Sequence, residues 1–300
     1  MSERDIYSQM GVSVSKKFLH EILGEIEGRV NENTFCKVLK LHGGTDPYVC
    51  CLHSDTAGTK TLLHYLYWRD TGDLSMWKYI AWDALAMNIN DIACTGFTSK
   101  IIVNSIISRN TFYIPDEVIR EIINGFYEAI EILNGLGLDI KHGGGETADV
   151  NDIIRTVDVG ASVFSFTHES MIIKINISRG NYVVGIPSWG KTYYEPFALS
   201  GISCNGITAL RHLLLSHQYR KYQESYETSL PQNLIYSGTI TMDNITNEWK
   251  KELLSPTRFI SPILHRIIKE LGKEHITGIV HLTGGAHSKV LKFIKNKPLQ

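Results

Sequence analysis

The stretch His53-Ser54-Asp55-Thr56-Ala57-Gly58-Thr59-Lys60 follows a short apolar run, Pro47 to Leu52, that reads as a strand. A carboxylate, two small residues, two hydroxyls and a lysine thus arrive together at a strand end. Such a set can hold a metal-bound polyphosphate, with Asp55 for the cation and backbone amides with Lys60 for the anion. Alone it reads equally as a hydrophilic turn. Two further segments shift the balance.

In the first, apolar residues from Leu74 to Ile92 recur at helical spacing: Trp77, Ile80, Ala81, Ala84, Leu85, Met87 and Ile92. On that helix Asp83 and Asn90 share one face, and Asp91 lies about 80° further round. They read either as a solvated stripe or as a second set of magnesium and phosphate ligands. In the second, His142-Gly143-Gly144-Gly145-Glu146-Thr147 follows a short strand ending near Ile140. Three glycines permit an anion-binding nest of free amides, and Glu146 suits a cation bridge. A plain glycine-rich loop is the alternative.

Taken in order, DTAGTK, the NDI of Asn90 to Ile92 and the GGGET of Gly143 to Thr147 resemble the successive motifs of the aminoimidazole ribonucleotide synthetase (phosphoribosylformylglycinamidine cyclo-ligase) family. Tyr7 and Gly11-Val12, Asn205-Gly206 in SGISCNG, Ser255-Pro256-Thr257-Arg258, and His281-Leu282-Thr283-Gly284-Gly285 extend the likeness over residues 7 to 285. Selenophosphate synthetase, thiamine-monophosphate kinase and a hydrogenase maturation factor share that superfamily's ATP site but resemble this chain less.

The resemblance implies an α/β (α+β) fold of two domains, 1–168 for ATP binding and dimerisation and 169–300 as an incomplete C-terminal unit. The N-terminal domains of a homodimer would pair into a barrel-like sheet. The implied reaction is ATP-driven ring closure of formylglycinamidine ribonucleotide to aminoimidazole ribonucleotide, with ATP and Mg²⁺ as cofactors. It implies Asp55, Asp91 and Glu146 as metal ligands, and Thr56, Gly58, Thr59, Asn90, Gly143, Gly144, Gly145 and Thr147 for the nucleotide and its phosphates. Asn205, Thr257, Arg258, Thr283 and Gly284 would hold the ribonucleotide. His281, Asp55 and Lys60 would be catalytic, although Lys60 reads equally as a partner of Asp55 or Asp83.

Two departures stand out. Ser203 occupies the place of the family's histidine in SGPHSNG. The family's lysine-bearing glycine-rich loop has only Gly43-Gly44 here, with Lys37 and Lys40 or Lys16-Lys17 as replacements. The chain also ends soon after the TGG turn, where the family continues, and is expected to be C-terminally short. Another kinase or phosphotransferase of the superfamily, or a non-catalytic binding homologue, are the competing readings.

Composition agrees with a cytoplasmic enzyme of small molecules. With 30 basic and 31 acidic residues, the net charge of −1 offers nothing to nucleic acid or an anionic membrane. No apolar run approaches the roughly 20 residues that cross a bilayer, and the polar start, MSERDIYSQM, does not read as a signal peptide. Five cysteines without CxxC spacing read as reduced thiols. Further elements are expected as a helix over Asn110 to Leu136, a strand over Ile154 to Phe166, a strand over Tyr182 to Ile186, helices over Asn205 to Leu215 and Ser261 to Leu271, a strand over Gly278 to Leu282 and a helix over Ser288 to Ile294. Trp68, Trp77, Trp82 and Trp189 read as packing residues, and Arg220-Lys221 as a solvated helix face.

Overall fold

A computed structural model describes residues 6–11, 33–41 and 47–293. Val12, Lys16, Lys17 and Gly43-Gly44, named above, lie outside them.

Strand β2 (Tyr48–Thr56) alternates Val49, Cys51, His53 and Asp55 toward one face of a five-stranded sheet. Its neighbours are β1 (Leu39–Lys40), β3 (Ile101–Arg109), β4 (Ile140–Asp149) and β5 (Val157–His168), in the order β1-β2-β5-β3-β4. All pairings are antiparallel except β3 with β4. One face carries Ile101, Val103, Ile107, Val157, Val159 and Val163, all buried. Helices α3 (Lys78–Ala93) and α4 (Asp116–Gly135) cover it. In α4 the apolar stripe of Val118, Ile119, Ile122, Phe126, Ile130 and Leu133 points to the sheet, and Pro115 stands at the N-cap in extended conformation. Ile123, beside this stripe, is 37% exposed.

The opposite face is open. Leu52, Phe164 and Ile102 stand in one cross-strand row, with Leu52 64% and Ile102 46% exposed.

The short α1 (Ile6–Gln9) precedes the sheet, and α2 (Thr61–Thr71) leaves the end of β2 through a 3₁₀ turn, Gly58–Lys60. Among the described residues, no strand after β5 joins this sheet. The pair β6 (Trp189–Gly190) and β7 (Leu199–Ser200) is followed by α5 (Ile207–Leu214), α6 (Asn247–Leu253) and α7 (Ser261–Leu271). Helix α7 has the expected bounds: Pro262 sits in its first turn and Gly272 stops it with φ of 80°. Two expected strands do not form. Tyr182, Val183 and Val184 are 98%, 94% and 82% exposed in irregular backbone, and 278–282 is likewise irregular. Neither segment has a partner ladder among the described residues, and a strand without one is not stable. The expected helix at 288–294 is a 3₁₀ segment, Ala286–Lys292. Arg220 is no solvated side chain: Nε and Nη2 donate to the carbonyls of Ile235 and Gln232 at 2.8 and 2.9 Å. Among the described residues no helix is long and apolar enough to cross a membrane.

Candidate active site

The buried helix α3 organises the candidate site, because its polar side chains are caught by segments from the second half of the chain. Asp83 is fully buried. Its Oδ1 accepts from Lys60 Nζ at 2.8 Å and from the amide and hydroxyl of Thr257 at 2.8 and 2.6 Å. Lys60, equally buried, also donates to the carbonyls of Ser255 at 2.5 Å and Ile202 at 3.4 Å. One ion pair thus fastens the end of the DTAGTK turn, α3 and the LSPTR segment together. A buried ammonium with these partners cannot turn to a phosphate without leaving Asp83 uncompensated. Lys60 thus acts as a structural clamp, the reading in which it pairs with Asp83, and Thr257 is committed to the same carboxylate.

Seven residues along α3, Asn90 makes the second fastening. Its amide nitrogen donates to Arg258 O at 2.8 Å, while its oxygen accepts from the amides of Ile260 and Ser261 at 2.8 and 3.1 Å. The last two are free donors at the start of α7, so Asn90 caps that helix from outside. These bonds occupy both ends of the amide that was expected at the nucleotide. Arg258 also departs from expectation. Its fork lies on Glu195 (Nε to Oε1 2.7 Å, Nη2 to Oε2 2.8 Å), and Nη1 donates to the carbonyls of Pro187 and Trp189. Four of its five N–H donors are thus taken up within the protein, and the side chain is 5% exposed.

Asp91 is different. Its Oδ1 meets His281 Nδ1 at 2.6 Å and its Oδ2 lies 3.5 Å from His53 Nε2. His53 Nδ1 contacts Asn88 Oδ1 at 2.9 Å, and Asn88 is held by the carbonyls of Ala84 and Asp55. Burial alone would push the His53 imidazole down, but the contact with Asp91, the Cys36 thiol and Asn88 together raise it to about 9. Burial would likewise raise Asp91, yet the two imidazoles hold it down at about 2. The carboxylate is thus ionised and fixes the His281 ring through Nδ1. Nε2 has no partner among the described residues, and the side chain is 15% exposed. A carboxylate-oriented imidazole with its far nitrogen available is suited to moving a proton.

Around His281 the later motifs gather. A Cβ on Gly284 would stand 3.4 Å from Asn205 Oδ1, so the HLTGG and SGISCNG turns touch. Gly284 and Gly285 have φ of 42° and 92°, values that favour glycine. Thr283 Oγ1 accepts from Lys289 Nζ at 3.2 Å. Ser203, at the place of the family histidine, lies 3.3 Å from Thr257 Oγ1 and bonds Met87 Sδ.

The DTAGTK amides are not a free cradle. Thr56 N donates to Asp55 Oδ1 at 2.8 Å, Ala57 N to Val159 O at 2.8 Å and Gly58 N to Thr56 Oγ1 at 3.1 Å. Thr59 Oγ1 bonds Thr208 Oγ1 at 3.0 Å. Nor is GGGET a loop: Gly143, Gly144, Gly145, Glu146 and Thr147 continue the exposed edge strand β4. Glycine is required there by packing. A Cβ on Gly145 would lie 2.3 Å from Ser105 Oγ and 2.5 Å from Ser105 O, next to a register shift in β3. Asp55, Ala161, Ser105 and Gly145 share one cross-strand row. Asp55 and the glycines are therefore three strand spacings apart, about 14 Å. Glu146 does not join Asp55 and Asp91, and among the described residues no three His, Cys, Asp or Glu side chains are arranged to hold a metal ion. Asp55 Oδ1 accepts from Thr56 N, which leaves Oδ2 for a cation, and a magnesium ion carried by a triphosphate needs only one or two protein carboxylates. All five cysteines are free thiols.

Sequence reasoning missed His53, Asn88 and Glu195. Strand alternation could have found the first, since His53 and Asp55 share the face of Val49 and Cys51. Glu195 gave no signal at a distance of 63 residues from Arg258.

Residues 36–166 match the family described as AIR synthase related protein, N-terminal domain. The phosphoribosylformylglycinamidine cyclo-ligase of Saccharolobus solfataricus is 27% identical over 97% of this chain and 73% of its own length. That of Thermoplasma volcanium is 24% identical over 84% of this chain and 63% of its own. Among solved structures, the thiamine monophosphate kinase of Aquifex aeolicus aligns with 57% of this chain and 47% of that one at 11% identity, with a TM-score of 0.33. The chain thus spans between half and three quarters of the length of the cyclo-ligases it matches. With the motifs in family order, these matches make the chain similar to the aminoimidazole ribonucleotide synthetase family over most of its length.

Proposed function

We propose that this chain carries the ATP-dependent cyclo-ligase activity of its family. The substrate amide oxygen attacks the γ-phosphoryl group of ATP, ADP leaves, and the amidine nitrogen then displaces phosphate and closes the imidazole ring. The observation that carries the proposal is the Asp91–His281 pair, since ring closure requires loss of a proton from the attacking nitrogen. His281 Nε2 is the acceptor, while Asp91 fixes the tautomer and stabilises the imidazolium that forms. His53 and Asn88 orient Asp91 from behind.

Asp55 would hold the ATP-borne magnesium, which neutralises γ-phosphate charge when bound. Asn205, Thr283 and Gly284, gathered beside His281, would hold the ribonucleotide. The open sheet face, with Leu52, Ile102 and Ile106 exposed, supports pairing with a second copy.

The test supplies purified protein with ATP, Mg²⁺ and one of three acceptors. Release of ADP with formylglycinamidine ribonucleotide alone is expected. Release with thiamine monophosphate or selenide instead would replace the proposal by a kinase-like activity.

A further inference from the structure

Between the DTAGTK turn and α5 lies a cleft of about 480 Å³, lined among others by Gly58, Thr59, Asp158, Thr208, Arg211 and His212. None of the motifs above accounts for its inner wall. Arg211 is 2% exposed and forms no ion pair among the described residues. Its Nη1 donates to the carbonyl of Ser225 and, at 2.5 Å, to the Tyr236 hydroxyl. Its Nε has no acceptor. A buried guanidinium facing only neutral partners is costly, and an anion would remove the cost.

The neighbouring imidazole sharpens this. Tyr236 N can only donate, and it donates to His212 Nδ1 at 3.3 Å. Burial, followed by the charge of Arg211, lowers the His212 imidazole to about 3, so the ring is neutral and its one proton sits on Nε2. That proton points at Arg211 Nη2, 3.4 Å away, donor against donor. An oxyanion between them would accept from both. Tyr236, which sets this arrangement, is held at φ of 45°, and strain of this kind is retained where the surroundings enforce it.

The carboxylates of the cleft are spoken for. Glu227 pairs with Arg155 at 2.8 Å, Glu224 accepts from the Tyr65 hydroxyl at 2.5 Å, and Asp158 is hydrogen-bonded by Thr56 and the Val159 backbone. The Thr59 and Thr208 hydroxyls, bonded to each other, offer further donors at the mouth.

We propose that this cleft is a phosphomonoester-binding site, with Arg211 and the Nε2–H of His212 as the inner donors and Thr208 at the mouth. Its volume suits a sugar phosphate. That the phosphate is the 5′-phosphate of the ribonucleotide substrate rests on the cyclo-ligase reading; phosphomonoester binding as such does not.

Isothermal calorimetry on the full chain tests it with ribose 5-phosphate, inorganic phosphate and uncharged ribose as probes. Ribose 5-phosphate should bind, inorganic phosphate should compete, and ribose should not bind. Arg211→Met should weaken ribose 5-phosphate about tenfold or more, and Thr208→Val should weaken it by a few fold. Should Arg211→Met fail to fold, Arg211→Lys and Thr208→Val decide, Arg211→Lys retaining charge but losing the fork and so part of the affinity. No binding of ribose 5-phosphate, or equal binding by wild type and the folded variants, overturns the site. Substrate-dependent ADP release in a protein that fails this test would overturn the site and leave the cyclo-ligase reading standing. Binding without ADP release would do the reverse.

Discussion

Replacing Lys60 by Met removes the ammonium that the DTAGTK turn places on Asp83 while keeping most of the apolar stem. Both side chains are fully shielded from solvent, so no water can take over the lost contact. The Asp83 carboxylate would retain the two donors of Thr257 but no countercharge, and its Oδ2 already lacks a partner. Removing one member of a buried pair costs about 3–5 kcal/mol. Lys60 also ties the carbonyls of Ser255 and Ile202, which would be left short of a donor at about 1 kcal/mol or more each. The upper part of that range is therefore expected, about 5 kcal/mol. The double variant Lys60→Met/Asp83→Leu removes both charges and should recover a large share, leaving Thr257 to account for the residue. Urea unfolding of wild type, both single variants and the double variant gives the coupling directly. A loss below about 1 kcal/mol for Lys60→Met would put the pair in the range of exposed ion pairs and refute the clamp.

Further outcomes follow from the same geometry. Gly145→Val should destabilise the protein by about 1–3 kcal/mol, because its Cβ meets the Ser105 backbone; a melting temperature equal to wild type would exclude that close approach. Arg258→Ala should lower the urea midpoint strongly while any nucleotide affinity of the folded fraction stays near wild type, whereas selective loss of ribonucleotide affinity would restore its expected phosphate role. His53 lies above its unfolded value of 6.5 at about 9, so its stabilisation is complete below pH 6.5 and disappears as pH rises through 9. Asp91, depressed to about 2, contributes fully above pH 3.8 and loses its contribution as pH falls through 2. Thermal melts should accordingly be highest between about pH 4 and 6.5, and His53→Gln should flatten the decline toward pH 9; an unchanged decline would assign it to other groups. Light scattering should find a dimer, and Leu52→Glu with Ile102→Glu should yield the monomer.

Local signals carried the regular elements well. The Ser261-Pro262 start and Gly272 stop of α7, and the stripe of α4, are set within a few residues of chain and survive in the structure. What failed depended on distant partners. Triple glycine reads as a loop until Ser105 of the neighbouring strand is known to demand the missing side chains. Tyr182-Val183-Val184 has the β-branched composition of a strand, but the described residues give it no ladder. Lys60, Asn90, Thr257 and Arg258 were recognisable as a set that belongs together, and the structure does bring them together. The pairing of Lys60 with Asp83 is one of the two readings the sequence allowed; for the others the sequence shows which polar groups recur, not whether they are turned outward to a ligand or inward to one another. Asp91 and His281, 190 residues apart, gave no hint of their contact.

The most direct test is the turnover of His281→Gln with ATP, Mg²⁺ and formylglycinamidine ribonucleotide, because only the Asp91–His281 pair gives the ring closure its proton acceptor. A fall in kcat of about 100-fold or more with little change in KM for ATP is predicted, in a variant whose cooperative melting curve shows that it folds. A folded variant that turns over at close to the wild-type rate would contradict it.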